Sequence, residues 1–123
     1  DNRLVGSEMC IRDRFNTHHG LTNAIVLPPV LHFNLPGMDE KVQRMSEAMQ
    51  FENHTVNEFT QNIELLLDRL NIPKSLSEID VPEDCAERIA KKAMQDQAYA
   101  TNPKEASLLQ MKDIVTQSIK QAR

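Results

Sequence analysis

The 123 residues are enough for one domain, which at this size buries roughly two-thirds of its unfolded surface. Trp is absent, and the single Tyr and three Gly favour packed helices over a β-sandwich or barrel. A net charge of −4 at pH 7, with Lys91-Lys92 as the one adjacent basic pair, argues against a nucleic-acid-binding surface. We therefore expect an all-α domain without a DNA or RNA partner.

The cysteines and the hydropathy of the sequence indicate in which cellular compartment the protein is expected. Cys10 and Cys85 are far apart and fit no Cys-x-x-Cys pattern, so neither a zinc knuckle nor a disulfide framework is indicated. The longest apolar run, "AIVLPPVL", is too short to span a bilayer, and no secretory signal precedes it. A cytoplasmic protein without a membrane partner is expected.

Five helices are predicted in chain order. The first, Leu21 to Phe33, is apolar on all sides, as in a helix that is buried all round. Pro28 and Pro29 should kink or split it, because each removes a backbone donor and clashes with the preceding turn. The second runs from Asp39, as its N-cap residue, to Met49. Its predicted inward stripe is Val42, Met45 and Met49.

The remaining helices have clearer ends. The third, Thr55 to Leu70, has apolar residues at three-and-four spacing. The fourth begins with Pro82 in its first turn, followed by an acidic pair, and ends at about Gln97. Ser107 caps the fifth. The residues predicted to face inward on these helices are Val56, Phe59, Ile63, Leu66, Leu67, Leu70, Cys85, Ile89, Ala93, Leu108, Met111, Ile114, Val115 and Ile119.

Local patterns offer little chemistry. A His18-His19 pair at the start of a helix is more often a cap or a solvated surface than a metal site. His32 and His54 are isolated and are interpreted as structural, and Cys85 as a small core residue. The pair Glu83-Asp84 is interpreted as a complement to the helix dipole rather than an acid and base. No phosphate-binding glycine loop or nucleophile elbow is present.

One segment resembles a known family. "FNTHHGLTNAIVLPPVLHFN" is similar to the part of iron-dependent alcohol dehydrogenases that begins with a histidine-glycine metal motif and continues through "N-A-hydrophobic-hydrophobic-L-P" to "F-N". "NIPKSLSEIDVPEDCAERIAKKAMQD" resembles the family's "I-P-x-x-L" loop and following helix. "TNPKEAS" resembles its "N-P-R" loop before the last helix. Together these cover nearly all of positions 15 to 123.

The resemblance implies a fold and a site. The family has an N-terminal α/β domain for the nicotinamide cofactor and a C-terminal helical domain for the metal, and this chain matches the latter in part. The last of the family's four metal ligands carries over to His19, with His18 as a neighbour. Pro29 departs from the family's "L-P-H-V", which should alter the helix bend. The loop around Ala98 is similar to a segment that approaches the substrate pocket.

The implied activity is interconversion of alcohols and aldehydes or ketones by metal-assisted hydride transfer. The implied cofactors of the intact parent are Fe(II) or Zn and NAD or NADP, and its assembly, including a homo-oligomer, is left open. The aspartate and the other two histidines belong upstream of Phe15. Because one imidazole cannot hold iron or zinc, this chain by itself is expected to be metal-free and inactive.

The first fourteen residues do not share the resemblance to the dehydrogenase family. "EMCIRDR" matches no part of the dehydrogenase family and resembles the translation of a transposase mosaic-end sequence used to build sequencing libraries. We interpret positions 1–14 as an artefact of assembly and 15–123 as the partial helical domain. The alternative is a divergent N-terminal arm. Without its upstream helices, the domain should leave apolar faces uncovered around Leu21 to Phe33 and have low cooperative stability.

Two other functional classes stay open at this point. A self-contained helical interaction module would fold alone around its own complete core. A helix-turn-helix regulator is disfavoured by the acidic balance and by the lack of a basic recognition helix.

Overall fold

The computed structural model describes residues 19–95 and 101–123, with only the backbone of His19. Within those ranges it contains α-helices, 3-10 turns and loops, and no strand, which confirms the all-α class. The five helices are α1 (His19–Asn34), α2 (Asp39–Ala48), α3 (Val56–Arg69), α4 (Ala86–Gln95) and α5 (Leu108–Gln121).

Two helix starts are confirmed by their caps. The Thr55 hydroxyl accepts a hydrogen bond from the Glu58 backbone N–H at 3.2 Å and so begins α3. Ser107 and Gln110 form a capping box at the start of α5. The Ser107 hydroxyl accepts from the Gln110 N–H at 3.1 Å, and the Gln110 side chain accepts from the Ser107 N–H at 2.9 Å. These bonds satisfy backbone donors that the first helical turn leaves free.

The cap predicted at Asp39 and the helix start predicted at Pro82 are wrong, although α2 does begin at Asp39. Met38, not Asp39, is the N-cap residue of α2, and it makes no side-chain capping bond. Asp39 lies instead in the first turn, where its charge still complements the helix dipole. Pro82 precedes a 3-10 turn, Glu83–Cys85, and α4 begins after that turn at Ala86. Short 3-10 turns are frequent at helix ends. The structure describes α4 to Gln95, and its predicted end at Gln97 lies outside the described residues.

Helix α1 is continuous through Pro28 and Pro29, so the helix is not split, and the alternative prediction of a kink stays a prediction. Both prolines are fully buried. In residues 20–34 the exposed positions are Gly20 and His32, and the other positions are buried or half-buried. This packing holds the helix together although each proline removes one backbone donor.

The core has two clusters, and α1 lies between them. One joins α1 to α4 and α5 and consists of Ile25, Val26, Leu76, Val81, Cys85, Ala86, Ile89, Ala90, Val115, Ile119 and Ala122. The other cluster consists of Leu35, Val42, Phe59, Ile63 and Leu67, from α2, α3 and the residue after α1. The partly buried Ala24, Leu27 and Leu31 of α1 pack against it. Phe51 extends the second cluster with its ring edge-on to Phe59 at a centroid distance of 5.7 Å.

The uncovered apolar surface is not where the sequence predicted it. The face of α1 is covered, and the exposed large apolar residues lie on α2, α3 and the start of α5. They are Met45, Met49, Leu65, Leu66, Leu70, Leu108 and Leu109. Five of them were predicted to face inward: Met45, Met49, Leu66, Leu70 and Leu108. In α3 the buried stripe is the narrower set Phe59, Ile63 and Leu67, beside which Leu66 and Leu70 lie at the edge. Low cooperative stability stays a prediction.

Candidate metal and substrate site

The predicted metal ligand, His19, is the first residue of the central helix α1. Its side chain and all of His18 lie outside the described residues. The backbone nevertheless fixes which residues share a face with His19, because positions four apart on a helix are neighbours. Asn23 is the polar residue at that spacing.

Asn23 was not singled out from the sequence. Its Oδ1 atom is buried and has no hydrogen-bond partner among the residues that the structure describes. Side chains on a helix lean toward the preceding turn, so Asn23 leans toward the turn that His19 begins. The signal in the sequence was a polar residue at i+4 from His19 on a mostly apolar helix.

The other histidines have structural partners, as predicted. His32 Nε2 lies 3.5 Å from Glu64 Oε1 on the surface. A ring nitrogen of His54 lies 3.0 Å from the Phe51 carbonyl oxygen. Cys85 is buried within the first core cluster, and Glu83 pairs with Lys120 at 3.1 Å. None of these contacts brings ligands together around a free position.

Metal coordination needs more than one side chain. Within the described part of the chain, no three His, Cys, Asp or Glu side chains gather in a group that could hold a metal ion. The described residues do not by themselves fit iron or zinc. What they supply is the helix that carries His19 and the unpaired acceptor of Asn23.

The predicted substrate-side residue, Ala98, belongs to 96–100 and lies outside the described residues. The loop that follows is held against the end of α1. Asn34 Nδ2 donates to Asn102 Oδ1 at 3.0 Å, and Asn102 Nδ2 donates back to Asn34 Oδ1 at 2.9 Å. Asn102 Nδ2 also donates to the Lys104 carbonyl oxygen at 2.7 Å. The sequence indicated these asparagines only as parts of two motifs 68 residues apart.

A cleft of about 340 Å³ lies beside this pair. Apolar side chains of α1 and α2 line it together with Pro103, and two basic residues of α2, Lys41 and Arg44, contribute cations. No carboxylate, thiol or imidazole is among its lining residues. Lys41 is therefore the one side chain among these lining residues of a type that can act as a base or nucleophile, and nothing in the described ranges pairs it with a second such group there.

No helix in the described ranges is long and apolar enough to cross a membrane.

Comparison with known families matches residues 9–119 to the Fe-containing alcohol dehydrogenase family, C-terminal. The 4-hydroxybutyrate dehydrogenase of Cupriavidus necator is 32% identical over 113 residues, which are 89% of this chain and 29% of that protein. Lactaldehyde reductase of Escherichia coli K12 is 29% identical over 100 residues, 76% of this chain and 26% of the relative.

A solved structure gives the same fold. The crystal structure of a 1,3-propanediol oxidoreductase superposes with a TM-score of 0.87 at 24% identity, and the match covers 95% of this chain and 32% of that one. The chain thus spans less than a third of the length of these relatives. The family match begins at Met9, inside the segment 1–14 that we interpret as an artefact, so the boundary near Phe15 stays a prediction.

The predicted resemblance and helical fold are confirmed together by the family match and the superposition. This chain belongs to the Fe-containing alcohol dehydrogenase family and corresponds to its C-terminal helical part.

Proposed function

We propose that this chain is the metal-binding part of an oxidoreductase that interconverts alcohols and aldehydes or ketones with NAD or NADP. The family match over residues 9–119 is the observation that carries this proposal. The names of the relatives support the substrate class: they include a 4-hydroxybutyrate dehydrogenase, a lactaldehyde reductase and an NADPH-dependent butanol dehydrogenase. All three names describe reactions of small alcohols or aldehydes.

In this proposal His19 supplies one neutral imidazole from the start of α1. If the intact protein held a divalent ion at this histidine, the ion would supply polarisation of the alcohol or aldehyde oxygen. The helix α1 supports His19 because it packs between the two core clusters. Such a support limits the freedom of the ligand and keeps the site in one geometry.

The other three ligands, an aspartate and two histidines, are proposed to lie upstream of Phe15. The cofactor domain is proposed to lie there too. Ala98 is proposed to approach the substrate pocket, a role that rests on the family resemblance. The proposal also includes a cytoplasmic location, supported by Cys85, the cysteine outside segment 1–14, which is a free thiol.

The isolated chain tests the ligand count. We expect titration with Fe(II) under anaerobic conditions, or with Zn(II), to show no sub-micromolar binding, because a single imidazole cannot compete with water and buffer. Isothermal titration calorimetry measures this directly. His19→Ala and His32→Ala are the matched variants, and both should behave as the unmodified chain does. Sub-micromolar binding that His19→Ala abolishes and His32→Ala keeps would show a complete site within these residues.

A further inference from the structure

The contact between Asn34 and Asn102 is a closed pair of amides. Each side-chain amide donates one hydrogen bond to the other and accepts one in return, at 3.0 and 2.9 Å. Asn34 is 5% exposed, so its amide has little access to water. The second N–H of Asn102 is also used, on the Lys104 carbonyl oxygen. Loss of Asn102 would leave the buried amide of Asn34 without its partner. Loss of Asn34 would leave the half-buried amide of Asn102 with its bond to the Lys104 carbonyl oxygen and an unpaired Oδ1 atom.

This pair joins two parts of the molecule that the proposed function uses. Asn34 is the last residue of α1, the helix that begins with His19. Asn102 lies four residues after Ala98 in the sequence. A second contact supports the same junction, because Lys104 Nζ lies 5.9 Å from the centre of the Phe33 ring. Residues 102–106 have no regular helix, and side-chain contacts of this kind contribute to holding them in place.

We propose that Asn34 and Asn102 are positioning residues. Their paired side-chain amides, here called the amide clasp, hold the chain that follows residues 96–100 at a fixed place against α1, the helix that carries His19. This inference rests on the proposed function, which assigns a metal ligand to α1 and places the loop around Ala98 beside the substrate. The amide clasp acts through the backbone at 101–104 and touches neither metal nor substrate. The two asparagines work as one unit, because each completes the other's hydrogen bonds.

The test uses the complete chain and two readouts. Tyr99 is the single tyrosine and there is no tryptophan, so intrinsic fluorescence reports a position three residues before Asn102. Hydrogen–deuterium exchange, followed by mass spectrometry, reports the loop peptides covering 101–106. The variants are Asn34→Ala, Asn102→Ala and the double substitution, with Asn57→Ala on the exposed surface of α3 as the matched control.

Each single variant should raise exchange in the loop by about tenfold and change the acrylamide quenching of Tyr99. The double variant should add almost nothing, because the first substitution has already opened the clasp. Peptides of α3 and the Asn57→Ala control should be unchanged. Three results would overturn the proposal. The effects of the two single variants on exchange could multiply in the double variant, exchange in the loop could stay unchanged, or protection could fall equally along the whole chain. Neither readout involves a metal or a cofactor, so this test and the metal titration fail independently.

Discussion

Arg123→Ala is expected to lower the free energy of unfolding by about 3 kcal/mol, a large effect for one side chain. The Arg123 side chain is 2% exposed and ties the end of α5 to α3 and the loop after it. Its Nε donates to Asp68 Oδ1 at 2.8 Å, and its Nη1 donates to the Pro73 carbonyl oxygen at 3.1 Å. Nη2 donates to the Ile72 carbonyl oxygen. Truncation would remove all three donors and leave two backbone acceptors unpaired.

Urea denaturation followed by helical circular dichroism measures this loss. Lys120→Ala is the matched control, because Lys120 pairs with Glu83 on the surface and both side chains are more than half exposed. The control should cost less than about 1 kcal/mol. Arg123→Lys should recover only part of the loss, since an ammonium cannot reproduce the planar fork that serves three acceptors. Equal midpoints for Arg123→Ala and Lys120→Ala would contradict the assignment of Arg123 as a structural clamp.

The second large effect is expected in the core, where Ile25→Ala should cost about 3 to 4 kcal/mol. Ile25 is fully buried on α1 and belongs to the cluster shared with α4 and α5. Truncation to alanine removes apolar contacts and leaves a cavity that rigid neighbours fill poorly. Leu109→Ala, at a position 69% exposed on α5, should be close to neutral.

Ile25→Val keeps this test informative if the alanine variant does not fold. Removal of one methylene should cost about 1 kcal/mol and leave the helical spectrum intact. Thermal and urea unfolding of the three variants should therefore rank as Ile25→Ala, Ile25→Val and Leu109→Ala, in order of falling cost. A loss for Ile25→Ala no larger than for Leu109→Ala would mean that α1 is not the packed centre of the fold.

Local hydrogen bonding explains which helix boundaries the sequence predicts well. Thr55 and Ser107 bond to backbone groups three residues away, so their role is visible in a short stretch. At Asp39 the same reasoning fails, because many residue types occupy the first turn and the cap position there makes no side-chain bond. Pro28 and Pro29 predicted a kink or a split, and the helix is not split, because both prolines are buried in the packed interior. Tertiary packing decides such cases.

In the candidate site, too, features that depend on nearby residues could be predicted and features that depend on the folded chain could not. His19 could be proposed from a contiguous motif, and Asn23 shares its face by helical spacing. The pairing of Asn34 with Asn102 could not be predicted, since only the folded chain brings together residues 68 positions apart. The exposure of Leu66 and Leu70 was missed for a related reason, because apolar spacing does not fix the width of the buried stripe.

The metal role of His19 is best tested by an independent long read of the source DNA across the codons for Ser7 to Phe15 and the region upstream. We expect the reading frame that enters Phe15 to continue upstream into a helix with two histidines and, further back, an aspartate and a nicotinamide-binding domain. His19 would then be the fourth ligand of an alcohol dehydrogenase. A native start codon directly followed by the codons for "SEMCIRDR" would remove the metal role of His19.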